Sequence, residues 1–142
     1  MSLELRKTLI DAPLGTKTSY PTSYDKNQLF PVKRQAQRQA MNFPLINFEG
    51  ADIWNAYEIF FLNLKGKPVR TAATFEIPAN SQFLPESKSV KLYLNSFNHE
   101  RFLDVSDVAQ RIEKDLSEIC QAKVGVNLSP YSLSVIHNEL SQ

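Results

Sequence analysis

The chain has 142 residues, of which 42% are hydrophobic and 22% charged, with a formal net charge of +1. That length fits one domain with a core of its own, and the near-neutral charge gives no electrostatic pull toward nucleic acid or anionic membranes. Cys120 is the only cysteine, so an intrachain disulfide is excluded and a reducing, cytoplasmic setting is expected. Met1 to Ile10 carries Glu4, Arg6 and Lys7 and no apolar run, so no secretory signal is expected. No stretch reaches the roughly 18 apolar residues of a membrane span.

Residues 1 to about 50 read as an irregular arm. Pro13, Gly15, Pro21, Pro31 and Pro44 come too close together for long helices. Tyr20, Tyr24, Phe30 and Phe43 give the arm more aromatic content than a disordered tail carries, so it is expected to wrap on a body. Its short basic run, Lys33-Arg34-Gln35-Ala36-Gln37-Arg38, reads as a solvated surface segment in preference to a phosphate-binding patch.

The body is expected over residues 51–142. Ile53 to Leu64 and Val69 to Ile77, separated by Lys65-Gly66-Lys67-Pro68, read as a β-hairpin. Alternation puts Val69, Thr71, Ala73, Phe75 and Ile77 on one face of the second strand. In the first strand it puts Tyr57, Ile59 and Phe61 on one face and Trp54, Phe60, Leu62 and Leu64 on the other. A strand apolar on both faces needs cover on both, one by helices and the other by a second layer or a partner subunit.

Pro85-Glu86-Ser87 then opens a helix whose Val90, Tyr93, Leu94 and Phe97 keep the i, i+3, i+4, i+7 spacing of a buried stripe. Lys88, Lys91 and Asn95 lie on a different face. A second helix starts near Asp104 or Ser106, either of which can cap it, with Val105, Val108, Ile112, Leu116 and Ile119 as its apolar stripe. Lys123 to Leu128 reads as a third strand interrupted by Pro130, and Leu133, Val135 and Ile136 as a fourth strand or a connector. The fold class is therefore α+β, an antiparallel sheet with two helices on one face behind an irregular arm.

Four glycines leave no room for a dinucleotide-binding glycine fingerprint or a Walker loop. His99, His137 and Cys120 are far apart in sequence, and no metal site is expected. Cys120 follows Ile119 on the apolar side of the second helix and reads as a small core thiol, with no base nearby to activate it. The one dense polar constellation is Glu86-Ser87-Lys88-Ser89-Val90-Lys91-Leu92-Tyr93. Backbone N–H groups at a helix start favour anions, and Lys88 and Lys91 add two positive charges one turn apart, which suits a phosphate. Glu86 suits the N–H donors of a heterocycle instead. The plainer reading is a capped amphipathic helix with a solvated lysine face.

That octapeptide resembles the signature of the QueF nitrile reductases, glutamate-serine-lysine-serine-apolar-lysine-apolar-tyrosine, and continues as Leu94-Asn95-Ser96-Phe97 in the same likeness. Asp52-Ile53-Trp54, Tyr57-Glu58, Leu62-Asn63, and in the arm Leu14-Gly15, Tyr20 and Tyr24-Asp25 resemble the two-module members of that family. The resemblance implies the tunnelling fold, whose sheets join side by side into barrels, and hence a homo-oligomer. It implies an NADPH-dependent reduction of 7-cyano-7-deazaguanine to 7-aminomethyl-7-deazaguanine in queuosine biosynthesis, a tRNA-modification route. Carried over, Pro85, Glu86 and Ser87 are candidate substrate contacts, and Ser87, Lys88 and Lys91 candidate NADPH contacts.

Departures from the family pattern are equally specific. The family's cysteine adds to the nitrile to form a thioimide, two NADPH reduce it, and an aspartate seven residues on donates a proton. Laid on that segment by the shared Pro68, this chain has Leu62 at the cysteine position and Val69 at the aspartate position. The family's Phe-His-Glu is here Phe102-Leu103-Asp104. The resemblance therefore implies an N-terminal module that lends binding residues to a separate cysteine-bearing module, with no catalytic residue of its own. Two other readings stay open: a non-catalytic binding or oligomerisation module on the same fold, and a zinc-dependent tunnelling-fold enzyme.

Overall fold

The computed structural model describes residues 21–34 and 50–130, the side chains of residues 56 and 57 excepted. A 3-10 turn, Lys26–Gln28, leads into β1 (Pro31–Lys33). Then come β2 (Ala51–Leu62), β3 (Pro68–Pro78), β4 (Phe83–Pro85), helix α1 (Ser87–Asn95), helix α2 (Val105–Cys120) and β5 (Gly125–Pro130). β2, β3 and β5 form an antiparallel sheet in that order, and β1 pairs with β4 as a separate two-stranded ribbon. The expected α+β class holds. The expected fourth strand over Leu133 to Ile136 lies outside the described residues.

Both helices and one sheet face share a single core. Tyr93 and Phe97 from the α1 segment, Val108, Ile112 and Leu116 from α2, and Ile59, Phe61, Phe75 and Ile77 from the sheet are all buried together. Each such side chain contributes about 1.5–3 kcal/mol by leaving water. Asp104, and not Ser106, caps α2: its carboxylate accepts the Asp107 N–H at 3.2 Å and the Ser106 hydroxyl at 2.6 Å. The Ser106 hydroxyl and that N–H hold the Asp104 carboxyl below its ordinary range. α2 ends at Gln121, whose φ of 52° is the left-handed region that favours glycine.

Three expectations need correction. First, strict alternation along β2 fails. The pairing register slips between Ala56 and Ile59, the mark of a β-bulge. Trp54 stands opposite Phe75, while Ile59 stands opposite Thr71, so Trp54 and Ile59 share the core face. Thr71 Oγ1 donates to the Ile59 carbonyl at 2.9 Å and stitches the strand just past the slip. Second, β5 starts at Gly125, and Pro130 ends the strand opposite Thr71 without interrupting it. A proline is tolerated at the last position of a strand that is outermost among the described strands.

Third, the arm is not irregular throughout, and Arg34 is not a solvated base. Pro31, Val32 and Lys33 pair with Pro85, Leu84 and Phe83. Arg34 is 8% exposed and donates to the Ser81 carbonyl at 3.1 Å, the Pro78 carbonyl at 3.1 Å, Ser81 Oγ at 2.9 Å and Asp52 at 2.7 Å. It therefore anchors the arm to the turn after β3. Arg34→Met keeps the stem and removes every donor, and is expected to lower stability by about 2 kcal/mol. A urea midpoint unchanged from wild type would show that water replaces the guanidinium at no cost.

Candidate functional site

The octapeptide begins where the β1–β4 ribbon meets α1. Pro85 is buried at the end of β4, opposite Pro31. Glu86, 6% exposed, is the N-cap of α1: its carboxylate accepts the N–H of Lys88 at 3.0 Å and of Ser89 at 2.9 Å. Its own N–H donates to the Phe30 carbonyl at 2.8 Å. Ser89 Oγ closes the turn by donating to the Glu86 carbonyl at 2.6 Å and accepting the Phe30 N–H at 3.0 Å. The backbone N–H groups weighed above as a phosphate seat are thus partly occupied. A carboxylate of the chain itself already satisfies two of those donors and complements the helix dipole.

One face of α1 remains open. Ser87, Lys91 and Asn95, one turn apart in succession, line a cleft of about 450 Å³. β2 forms the facing wall with Trp54, Asn55 and Glu58, and Phe75, Val90 and Leu94 make an apolar floor. Glu58 is ion-paired with Arg70 at 2.6 Å, and Asn55 Oδ1 accepts the Thr74 hydroxyl at 3.3 Å. One wall therefore carries a carboxylate and a carboxamide, and the other an ammonium, a hydroxyl and a second carboxamide. A cleft of this size, with an apolar floor and few polar groups, suits a small planar molecule with hydrogen-bonding edges.

Of the residues singled out in the sequence, Ser87 and Lys91 line this cleft. Pro85 and Glu86 set its helix, and Lys88 sits half-buried off the lining. Leu62 and Val69, which the resemblance sets at the family's cysteine and aspartate positions, are also off it and sit at the hairpin end, where Leu62 pairs with Pro68 and Val69 with Phe61. Trp54, Asn55, Glu58 and Asn95 were not foreseen as site residues. The bulge hid Trp54, because period-two counting does not bring it to the α1 side. Asn95 carried a signal, its place on the lysine face.

Cys120 is fully buried, and burial pushes its thiol up to about 11. Among the described residues, no three His, Cys, Asp or Glu side chains converge as a metal site. No described helix is long and apolar enough to cross a membrane.

The family described as "Nitrile reductase, 7-cyano-7-deazaguanine-reductase N-term" matches residues 20–128. A protein of Chromohalobacter salexigens named NADPH-dependent 7-cyano-7-deazaguanine reductase is 46% identical over 127 residues, covering 88% of this chain and 46% of that protein. A protein of the same name from Dechloromonas aromatica is 45% identical over 125 residues, 87% of this chain and 44% of its own length. Another from Cupriavidus metallidurans is 47% identical over 120 residues, 82% and 43% respectively. The chain spans a little under half the length of these relatives.

Proposed function

The chain belongs to the N-terminal family of 7-cyano-7-deazaguanine nitrile reductases, and on that premise we propose that it is the N-terminal module of an NADPH-dependent reductase of this nitrile. The cleft between α1 and β2 takes part of the cofactor or of the purine-like substrate and presents it to a second, cysteine-bearing module. The observation that carries this reading is the coincidence of the family match with the one face of α1 on which Ser87 and Lys91 open into a ring-sized cleft.

The residues present fit the groups they would hold. Lys91 and the Ser87 hydroxyl offer donors to a phosphate or sugar, and Asn95 extends the same row. Trp54 and Phe75 offer a ring platform. About 450 Å³ admits one end of a dinucleotide and not the whole, so the remainder of the molecule lies against another surface. When bound, NADPH supplies the hydride. This chain's residues orient it, and Glu86 keeps the first turn of α1 rigid beneath it. Lys88 lies on that turn, and Pro85 fixes where the turn begins.

Assembly with further copies or a second module would use a different surface. Ile53, 55% exposed, stands opposite Glu76 on the sheet face away from the helices, and β2 has a free edge among the described strands.

Trp54 is the only tryptophan and lines the cleft, which makes its fluorescence a reporter. Titrating the chain with NADPH is expected to quench Trp54 saturably, and Lys91→Ala to weaken that response about tenfold by removing a charged hydrogen bond. A wild-type chain with no saturable response would hand the lead to the non-catalytic assembly module.

A further inference from the structure

Asp115 sits in α2, is 3% exposed, and has no part in the cleft. One of its oxygens, Oδ2, accepts two phenol hydroxyls. One comes from Tyr93 in α1 at 2.6 Å, and the other from Tyr24 in the arm. Tyr24 is further held by its N–H, which donates to Glu100 Oε1 at 2.9 Å, by the Phe97 ring at 5.3 Å and by the Arg111 guanidinium 5.1 Å above its own ring. Burial first, then the Asp115 carboxylate, push the Tyr24 hydroxyl up to about 12 and the Tyr93 hydroxyl further in the same direction. Both therefore remain donors throughout the neutral range.

Six residues beyond Tyr24, the same arm grips the first turn of α1. The Phe30 N–H donates to Ser89 Oγ and the Phe30 carbonyl accepts the Glu86 N–H. Arm and helix are thus tied twice, at Glu86 and Ser89 and again, one turn on, at Tyr93. The tyrosine that closes the octapeptide points away from the cleft, into this second tie.

We infer that Tyr24 and Asp115 are positioning residues: docking of the arm through Tyr24–Asp115–Tyr93 holds the first turn of α1, and with it the Ser87 and Lys91 wall, at its setting across the cleft from Trp54. The cleft's shape then depends on a segment whose described residues are not among those that line it. A carboxylate shared by two donors from different elements suits this role, because losing either donor loosens both elements. The part of the inference that concerns NADPH rests on the function proposed above; the part that concerns the helix start does not.

The test uses the whole chain and Tyr24→Phe, which removes one hydroxyl and keeps the ring. Val108→Ala serves as the control, since it opens a cavity in α2 and lowers stability while leaving all three network residues in place. Amide hydrogen exchange at Phe30 and Glu86 is expected to speed up about tenfold in Tyr24→Phe, the scale of one lost charged hydrogen bond, and to stay at the wild-type rate in Val108→Ala under folding conditions. Trp54 is expected to become more accessible to acrylamide, and NADPH affinity to fall about tenfold, in the first variant only. Asp115→Asn, which keeps an acceptor oxygen in place, is expected to fall between wild type and Tyr24→Phe in all three readouts.

Wild-type exchange at Phe30 and Glu86 in Tyr24→Phe would overturn the inference. So would equal effects in Val108→Ala, since they would reduce the network to general stability. If the wild-type chain shows no NADPH response, the proposed function falls, while exchange and acrylamide quenching still decide the role of the arm.

Discussion

Asp115→Ala is expected to lower stability by about 3–4 kcal/mol, the largest loss from any single polar substitution in the described residues. The carboxylate is buried and its two donors are hydroxyls of Tyr93, which is fully buried, and Tyr24, which is half-buried. A hydrogen bond to a charged acceptor contributes about 1.5–3 kcal/mol, and the Tyr93 hydroxyl has no water to turn to once the acceptor is gone. The Tyr24 hydroxyl is nearer solvent and recovers part of its loss, which keeps the sum below two full bonds. Urea unfolding gives the number, provided the slope against denaturant is unchanged.

A sharper version separates a missing acceptor from a mere cavity. In Asp115→Ala combined with Tyr24→Phe and Tyr93→Phe, no donor is left stranded, so the triple variant is expected to be more stable than the single one. A triple variant that is less stable would show that the hydroxyls make other bonds worth more than their partnership with Asp115. Alkaline pH gives an independent reading. A tyrosine whose folded pKa is raised contributes stability that is complete below its ordinary value near 10 and is lost as pH rises toward its folded value. Wild-type stability should therefore decline between pH 10 and about 12, and Tyr24→Phe should decline less over that window.

How much of this was legible in the sequence depends on the range of the interaction. The α2 stripe could be read because Val108, Ile112 and Leu116 recur with the helix period and all face the core. The start of α1 was equally plain from Pro85-Glu86-Ser87, although Glu86 was read as a substrate contact and not as the cap. Local rules failed where the chain breaks its own period. The bulge between Ala56 and Ile59 moved Trp54 to the core face, and no residue type in Asn55 to Glu58 announces a bulge. The β1–β4 ribbon was missed because three-residue strands carry too little alternation to count, because Pro31 read as a breaker, and because Pro85 read as a helix opening.

Arg34 was misread for a related reason. A basic residue in a polar run looks solvated until the carbonyls of Pro78 and Ser81, more than forty residues on, are seen to need its donors. Tyr24 and Asp115 are 91 residues apart. The family resemblance brought out Tyr24 and Tyr93 as residues of a pattern, but it gave neither a task; the task became visible only when α1, α2 and the arm were packed together. The cleft was half legible for the same reason. Its α1 wall follows helix periodicity, and its β2 wall depends on the bulge.

Mixing the chain with NADPH and 7-cyano-7-deazaguanine is expected to consume no NADPH, and to leave no covalent adduct on Cys120. The reduction that the family resemblance implies begins when a thiolate carbon–sulfur bond forms at the nitrile carbon, so it needs an ionised, reachable cysteine. Cys120 is neither. It is packed at the end of α2 with Leu116 and Val124, fully buried, and its thiol lies near 11. At pH 7 that is roughly one part in ten thousand thiolate, against a few per cent for a free cysteine. The Arg34 guanidinium pulls the other way and does not offset burial. Alkylation by iodoacetamide checks the premise directly: it is expected to be orders of magnitude slower in the folded chain than in urea, and to track the opening of α2. Rapid alkylation under native conditions, or nitrile-dependent NADPH consumption that vanishes in Cys120→Ala, would make Cys120 the nucleophile and would remove the need for a second module to bring one.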